Sequence, residues 1–158
     1  QQIDTPDSQE LLLQLLEDVD FDVRKASILA LGAFVSSKET LIPILLPFLD
    51  DEHWSVREAA ATALGALQAT EAEEQLLCML DDPDLAVRRA VFVALGRLCS
   101  LQAIPMLITH LAHEELDYAA YQALSLIATH QKDRIAEYVE QQNPKVHLFL
   151  EHILERNP

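Results

Sequence analysis

With 158 residues, half of them hydrophobic and only three of them glycine, the chain holds enough apolar material to bury one continuous core, and no segment of it reads as a long disordered linker. Its 11 lysines and arginines stand against 26 aspartates and glutamates, a formal charge of -15 that repels a phosphate backbone or an anionic membrane surface. Nucleic acid and membranes are thereby excluded as expected partners, and no apolar run approaches the length of a membrane span.

The first helix is expected to open at Thr5-Pro6, with Thr5 as N-cap and proline at the first helical position, where a missing N–H is no loss. Leu11, Leu12, Leu15 and Leu16 give it an apolar face, and the acidic turn Glu17-Asp18-Val19-Asp20 ends it. Asp20 then caps a helix running from Val23 to Phe34. Ser36 with Glu39 has capping-box spacing ahead of Leu41 to Leu49; Pro43 lies near the start of this helix, whereas Pro47 falls inside it and should bend it. The turn Asp50-Asp51-Glu52-His53-Trp54-Ser55 leads to a helix from Val56. Thr70 with Glu73 repeats the capping box before Leu76, Leu77, Met79 and Leu80, and Asp81-Asp82-Pro83-Asp84 precedes a helix from Val87. Ser100 is placed to cap a helix through Ile104, Leu107 and Leu111, with another helix starting at Leu116. Arg134 to Val139, then Asn143-Pro144 and the run to Leu154, read as a last pair whose exposed charges Glu151, Glu155 and Arg156 suit a terminal cap.

One stretch is written three times in fixed register: Val23-Arg24-Lys25-Ala26 to Ala30-Leu31-Gly32, Val56-Arg57-Glu58-Ala59 to Ala63-Leu64-Gly65, and Val87-Arg88-Arg89-Ala90 to Ala94-Leu95-Gly96. The valines lie 33 and then 31 residues apart, the period of a helix-pair solenoid. A worn fourth copy, Leu116 to Ser125, keeps the alanines and the leucine but loses arginine and glycine. Apolar positions recur at helical spacing, as in Val23, Ala26, Ser27, Ala30, Leu31 and Phe34, with no strand alternation. Alanine at two of them lets a helix lie close to its neighbours. The expected fold is therefore an all-α superhelix, a single domain over 1–158 made of repeats at about 5–35, 36–68, 69–99 and 100–129 and a capping pair at 130–158.

The acidic turn, the Val-Arg pair and the small-residue helix ending in Ala-Leu-Gly resemble the HEAT repeat, and more narrowly the short bacterial version named after phycobilisome lyases. Asp82-Pro83-Asp84-Leu85-Ala86-Val87-Arg88-Arg89-Ala90 is the fullest match, and the likeness extends over about residues 7 to 128. It implies a right-handed superhelix with first helices on the convex side and second helices on the concave side. As to function, this repeat serves scaffolds, adaptors, bilin lyases and a few enzymes.

Candidate sites are judged against ordinary packing. Arg24, Arg57 and Arg88 could form an anion-binding row, but acidic turns recur in step with them, so each is expected to pair with a turn carboxylate such as Asp20, Asp51 or Asp82 of its own or an adjacent repeat. The six histidines never form His-Glu-x-x-His, and the dipeptide His113-Glu114 alone cannot supply the ligands of a di-iron centre. Neither a nucleophile elbow nor a glycine-rich phosphate loop exists. No catalytic residue, metal or cofactor is expected. Cys78 and Cys99, far apart in sequence, read as free, partly buried thiols in a reducing compartment, so a cytoplasmic location is expected. Trp54 occupies the place of Phe21 and Leu85 in the other copies, which favours packing between repeats.

What remains is the outer surface of the second helices. Lys25, Ile28, Leu29, Glu58, Thr62, Arg89, Phe92, Val93, Tyr118, Tyr121 and Gln122 fall outside the core register, and several are too apolar for a plain solvated face. They are the expected contact residues of a non-enzymatic protein-interaction module that takes a partner protein on its concave face, with tyrosines as anchors. The acidic surroundings favour a partner with a basic surface. Two rival readings are an accessory or lyase-type protein handling a bilin, for which Lys25, Arg89 and Arg97 are the available cations, and a structural segment of a longer solenoid. A chain starting at Gln1 rather than Met suggests a processed product or a piece of something longer.

Overall fold

The computed structural model describes residues 6–111, 117–137 and 144–156. All regular structure among them is helical: α1 (Pro6–Gln14), α2 (Phe21–Leu31), α3 (Lys38–Leu45), α4 (Trp54–Ala66), α5 (Glu73–Cys78), α6 (Leu85–Arg97), α7 (Ile104–His110), α8 (Asp117–Ala136) and α9 (Pro144–Arg156). Short 3-10 turns at Leu15–Glu17, Leu46–Asp50 and Met79–Asp81 extend α1, α3 and α5. The second helices α2, α4, α6 and α8 stack in sequence order as one layer, and each first helix lies against the second helix of its own pair. The fold is an α-α solenoid, and no single helix described is long and apolar enough to cross a membrane.

The repeated letters explain the stacking. A Cβ placed on Gly32 would lie 2.8 Å from the Cβ of Ala63, one on Gly65 2.8 Å from Ala94 Cα, and one on Gly96 2.6 Å from Ala123 Cα. Glycine of one repeat thus rests on alanine of the next, at a separation that leaves no room for a side chain. The leucine between them, as Leu31, Leu64, Leu95 and Leu124, is fully buried and joins Val56 and Val87 in a core shared by adjacent repeats. Full burial of each such side chain contributes about 1.5–3 kcal/mol.

Asp51 and Asp82 tie the turns together. In each turn one carboxylate oxygen accepts the N–H two residues on, at 2.8 Å for Asp51 to His53 and for Asp82 to Asp84. The same carboxylates take the arginine fork of the preceding repeat: Arg24 Nε and Nη2 donate to Asp51 at 3.2 Å each, and Arg57 Nε and Nη2 donate to Asp82 at 2.8 and 3.1 Å. The third guanidinium nitrogen reaches back to carbonyls of the arginine's own turn, Asp18 and Val19 for Arg24, Asp51 and Glu52 for Arg57. Each arginine therefore clips two successive turns. Arg88 donates to the carbonyls of Asp82 and Pro83 in the same manner. Asp20 is not an arginine partner but the N-cap of α2, accepting from Asp22 N at 2.8 Å, as Asp84 accepts from Ala86 N at 2.8 Å.

Several local expectations are corrected. Neither Ser36 nor Thr70 caps a helix: a 3-10 turn at Val35–Ser37 and another at Thr70–Ala72 enter α3 and α5, and Thr70 Oγ1 bonds only to Glu71, at 3.5 Å. Starting at Lys38, α3 places Pro43 at its sixth residue, and Pro47 terminates the α-helix at Leu45 in favour of a 3-10 turn instead of bending it. Ser100 is not the N-cap of α7 either: that position is Ala103, without a side-chain bond, and the buried Ser100 hydroxyl accepts from Ala103 N at 3.2 Å in the turn before the helix. Helices α4 and α6 end with Gln68 and Cys99 in the left-handed region (φ 54°), where Ala69 N and Ser100 N donate back to Leu64 and Leu95 carbonyls at 3.0 Å. A non-helical Gln131 breaks α8. Thr5, His113, Glu114, Leu116, Tyr138, Val139 and Asn143, to which the sequence assigned roles, lie outside the described residues.

Candidate functional site

Three rows cross the second helices in register. Lys25, Glu58, Arg89 and Tyr118 make the first; Leu29, Thr62, Val93 and Gln122 the second; Ile28, Ala61, Phe92 and Tyr121 the third. The first two rows are exposed or half-buried throughout, with Tyr118 at 71% and Leu29 at 41% exposure. The third row belongs to the core. Ile28 and Phe92 have no exposed surface, Ala61 none either, and the Phe92 ring lies 5.1 Å from that of His110 on α7. The expected role of Ile28 and Phe92 as contact residues is thus corrected: three residues before the repeated leucine, this position points between the second helix and the first-helix layer. Tyr121, next in the row, is half-buried with its ring 6.3 Å from Phe149 and 6.1 Å from His152 of α9, so the end of the stack uses most of it for packing.

On the two outer rows the polar groups are partly engaged with one another. Lys25 Nζ pairs with Glu58 Oε2 at 3.1 Å and stands 5.8 Å above the Trp54 ring. Thr62 Oγ1 donates to the Glu58 carbonyl at 2.8 Å, and Gln122 Nε2 donates to Tyr118 Oη at 3.3 Å. Between α4 and α6 the rows open into a groove of about 340 Å³, bounded by Glu58, Thr62, Arg89 and Val93 and floored by Ala86, Ala90 and Ala94, with Arg97 at one end. Sequence reasoning named the rim and missed the floor. The signal was present, since Ala86, Ala90 and Arg97 share one flank of α6, but alanines at core spacing read as packing. It also set Trp54 aside, although the ring is 42% exposed beside Lys25. A second hollow of about 400 Å³ lies at the C-terminal ends of α4 and α6, where Arg97 meets Cys99 and, from α8, Thr129 and His130.

Outside the groove, Asp82 is a charged group whose pKa is displaced by its surroundings, and its role is structural. Burial raises the pKa of Asp82, but the Arg57 hydrogen bond, the Asp84 amide and the charges of Arg57 and Arg88 together outweigh it and hold the carboxyl below its ordinary value. Arg57 is raised in turn, chiefly by the hydrogen bond to Asp82. Among the described residues no three His, Cys, Asp or Glu side chains converge as metal ligands. The Ser–His contact, His53 Nδ1 to Ser55 Oγ at 2.8 Å, belongs to the N-cap of α4, where histidine replaces the aspartate of the other turns and Ser55 is buried. What the site offers is a ridged face of mixed polarity.

Known proteins place this arrangement. Residues 42–128 match the family model described as HEAT repeats, and residues 9–37 match a second model, HEAT repeat. Among solved structures, one from the complex of CpcE and CpcF of phycocyanin lyase from Nostoc sp. PCC7120 superposes with a TM-score of 0.71 at 24% identity, covering 94% of this chain and 64% of that one. A crystal structure of an engineered protein superposes with a TM-score of 0.65 at 19% identity, covering 96% of this chain and 79% of that one. The chain thus spans less than two thirds of the lyase-complex protein it matches. At these identities the likeness shows the fold. No curated protein matches the chain in sequence.

Proposed function

The chain belongs to the HEAT-repeat family, whose repeats generally mediate protein–protein interaction, and from that premise we propose that it is a non-enzymatic binding module using the second-helix face. The observation that carries this reading is the pair of exposed rows opening into the α4–α6 groove. Leu29, Val93 and the Trp54 ring supply apolar and aromatic contact, while Arg89 and Arg97 flank the groove. The segment entering the groove carries an acidic side chain among apolar ones, and the basic surface favoured by the net charge of -15 meets the acidic turns around it. Free thiols at Cys78 and Cys99 fit a reducing, cytoplasmic setting.

The test is capture of a partner from source-cell extract by the purified chain, followed by affinity measurement with that partner in pure form. Leu29→Asp combined with Val93→Asp should weaken binding by about tenfold or more while helicity and melting stay close to wild type. Unchanged affinity in that variant would move the site off this face. A second reading has one observation behind it: two arginines beside one groove could hold the carboxylates of a bilin, the ligand class of the lyase-type repeats this chain resembles. Titration of free bilin should then shift its absorption, and Arg97→Glu should remove the shift; a flat titration discards that reading.

A further inference from the structure

Trp54 is the sole tryptophan of the chain, and 42% of it is exposed although repeats stack on both sides of its own. No neighbouring repeat uses up that surface. The ring belongs to an aromatic row spanning two turns: His53 stacks on Phe21 with centroids 3.6 Å apart and lies 5.8 Å from Trp54. To this ring the chain brings a cation of its own. Lys25 Nζ stands 5.8 Å from the indole centroid and 3.1 Å from Oε2 of Glu58, which follows Trp54 by four residues on α4. An indole and a carboxylate one helical turn apart thus share one ammonium.

The grip on that ammonium is loose. Lys25 and Glu58 are both half-buried, and an ion pair this open to water contributes little. Lysine is also the poorer match for the pair. A compact ammonium makes a point contact, whereas a guanidinium lays its plane on an indole and sends two parallel N–H groups to one carboxylate. The surroundings can take a further positive charge. Residues 17–25 and 50–58 hold eight carboxylates against three cations, Arg24, Lys25 and Arg57, each already in an ion pair. The ion pairs among the described residues leave exposed Glu17, Asp22, Asp50 and Glu52 unmatched.

We propose that Trp54 and Glu58 form a receptor site for an arginine side chain of the partner protein, with Lys25 holding the place until the guanidinium displaces it. The proposal rests on the reading of this face as a protein-binding surface and says what its first row recognises. Glu58 also bounds the α4–α6 groove, so the arginine marks one end of the segment lying there. Releasing Lys25 to water costs little, for the same reason that its ion pair contributes little.

Emission from Trp54 reports on the site directly, because no other tryptophan contributes. Titration with a glycine-spaced tri-arginine peptide at low ionic strength should quench or shift that emission to saturation. The matching tri-citrulline peptide, similar in shape but uncharged, should leave it unchanged, and tri-lysine should need at least about threefold more peptide. With a labelled tri-arginine peptide followed by anisotropy, Glu58→Gln and Trp54→Leu should each weaken binding by about fivefold or more at near wild-type melting, while Lys25→Met should tighten it. Emission that never moves, equal response to arginine and lysine, or affinity indifferent to Glu58→Gln or lowered by Lys25→Met overturns the proposal. The purified natural partner separates this site from the wider reading. Binding lost in the Leu29→Asp and Val93→Asp variant but kept in Trp54→Leu and Glu58→Gln retains the docking face and removes the arginine site. Loss in both sets supports both, and binding kept in both sets overturns both.

Discussion

A methyl group on Gly65 would meet backbone and side chain of Ala94 at 2.8 and 2.9 Å, contacts that only movement of a whole helix could relieve. In an exposed helix interior, glycine to alanine gains about 1 kcal/mol through propensity. Here overpacking reverses the sign: Gly65→Ala should destabilise by about 1–3 kcal/mol, read as a lower urea midpoint with unchanged m-value. Asp82 works by charge rather than shape. Its folded-state pKa lies below the ordinary 3.8, so the stabilisation it gives is fully present above that value and is lost as pH falls through the folded one. Asp82→Asn should remove about 2 kcal/mol at neutral pH, because the largely buried Arg57 fork then faces a neutral amide, and should flatten the decline in stability below about pH 4. Thermal melts of both proteins between about pH 2.5 and 7 would check the sign; parallel curves would show that the carboxylate contributes no pH dependence.

At the scale of the helix, the register that made the repeats legible also set the limit of what could be read. Val-Arg, Ala-Leu-Gly and the acidic turns gave the second helices, and the arginine–carboxylate ladder followed from their common period. The contact rows were less legible because three of them lie within one arc of the helix. Ile28 and Leu29 are neighbours in sequence and nearly equal in hydrophobicity, yet one is fully buried and the other 41% exposed, a difference decided by how far the first-helix layer wraps. The first helices themselves were harder still, since proline and 3-10 geometry override capping motifs such as Ser36 with Glu39. The rows make a paired prediction. Phe92→Ala should destabilise by about 3–5 kcal/mol, as a fully buried aromatic does, whereas Val93→Ala on the rim should change stability by less than about 1 kcal/mol. Chemical denaturation of the two variants separates the rows, and comparable losses would mean that the groove closes in solution.

For the molecule as a whole, stability is a sum over neighbours rather than a property of one centre. Helices α4 and α6 are each flanked by two second helices, while α2 has one such neighbour among the described residues, α4, and keeps Val23, Ala26 and Ala30 incompletely covered. Opening α2 disrupts one inter-helix face and one arginine fork, Arg24 on Asp51; opening α4 disrupts two faces and the Arg57 fork on Asp82 as well. Local unfolding free energy should therefore rise from α2 inward, and each difference of about 1.4 kcal/mol appears as a tenfold slower exchange. Native-state hydrogen exchange should find amides of Ile28 to Leu31 at least tenfold less protected than those of Ala61 to Leu64, their register equivalents one repeat on. Arg24→Ala should widen that gap by loosening α2 alone, whereas Arg57→Ala, which unclips the middle of the stack, should narrow it. Uniform protection across both helices would instead describe a single cooperative block, in which α2 draws on the stability of the whole.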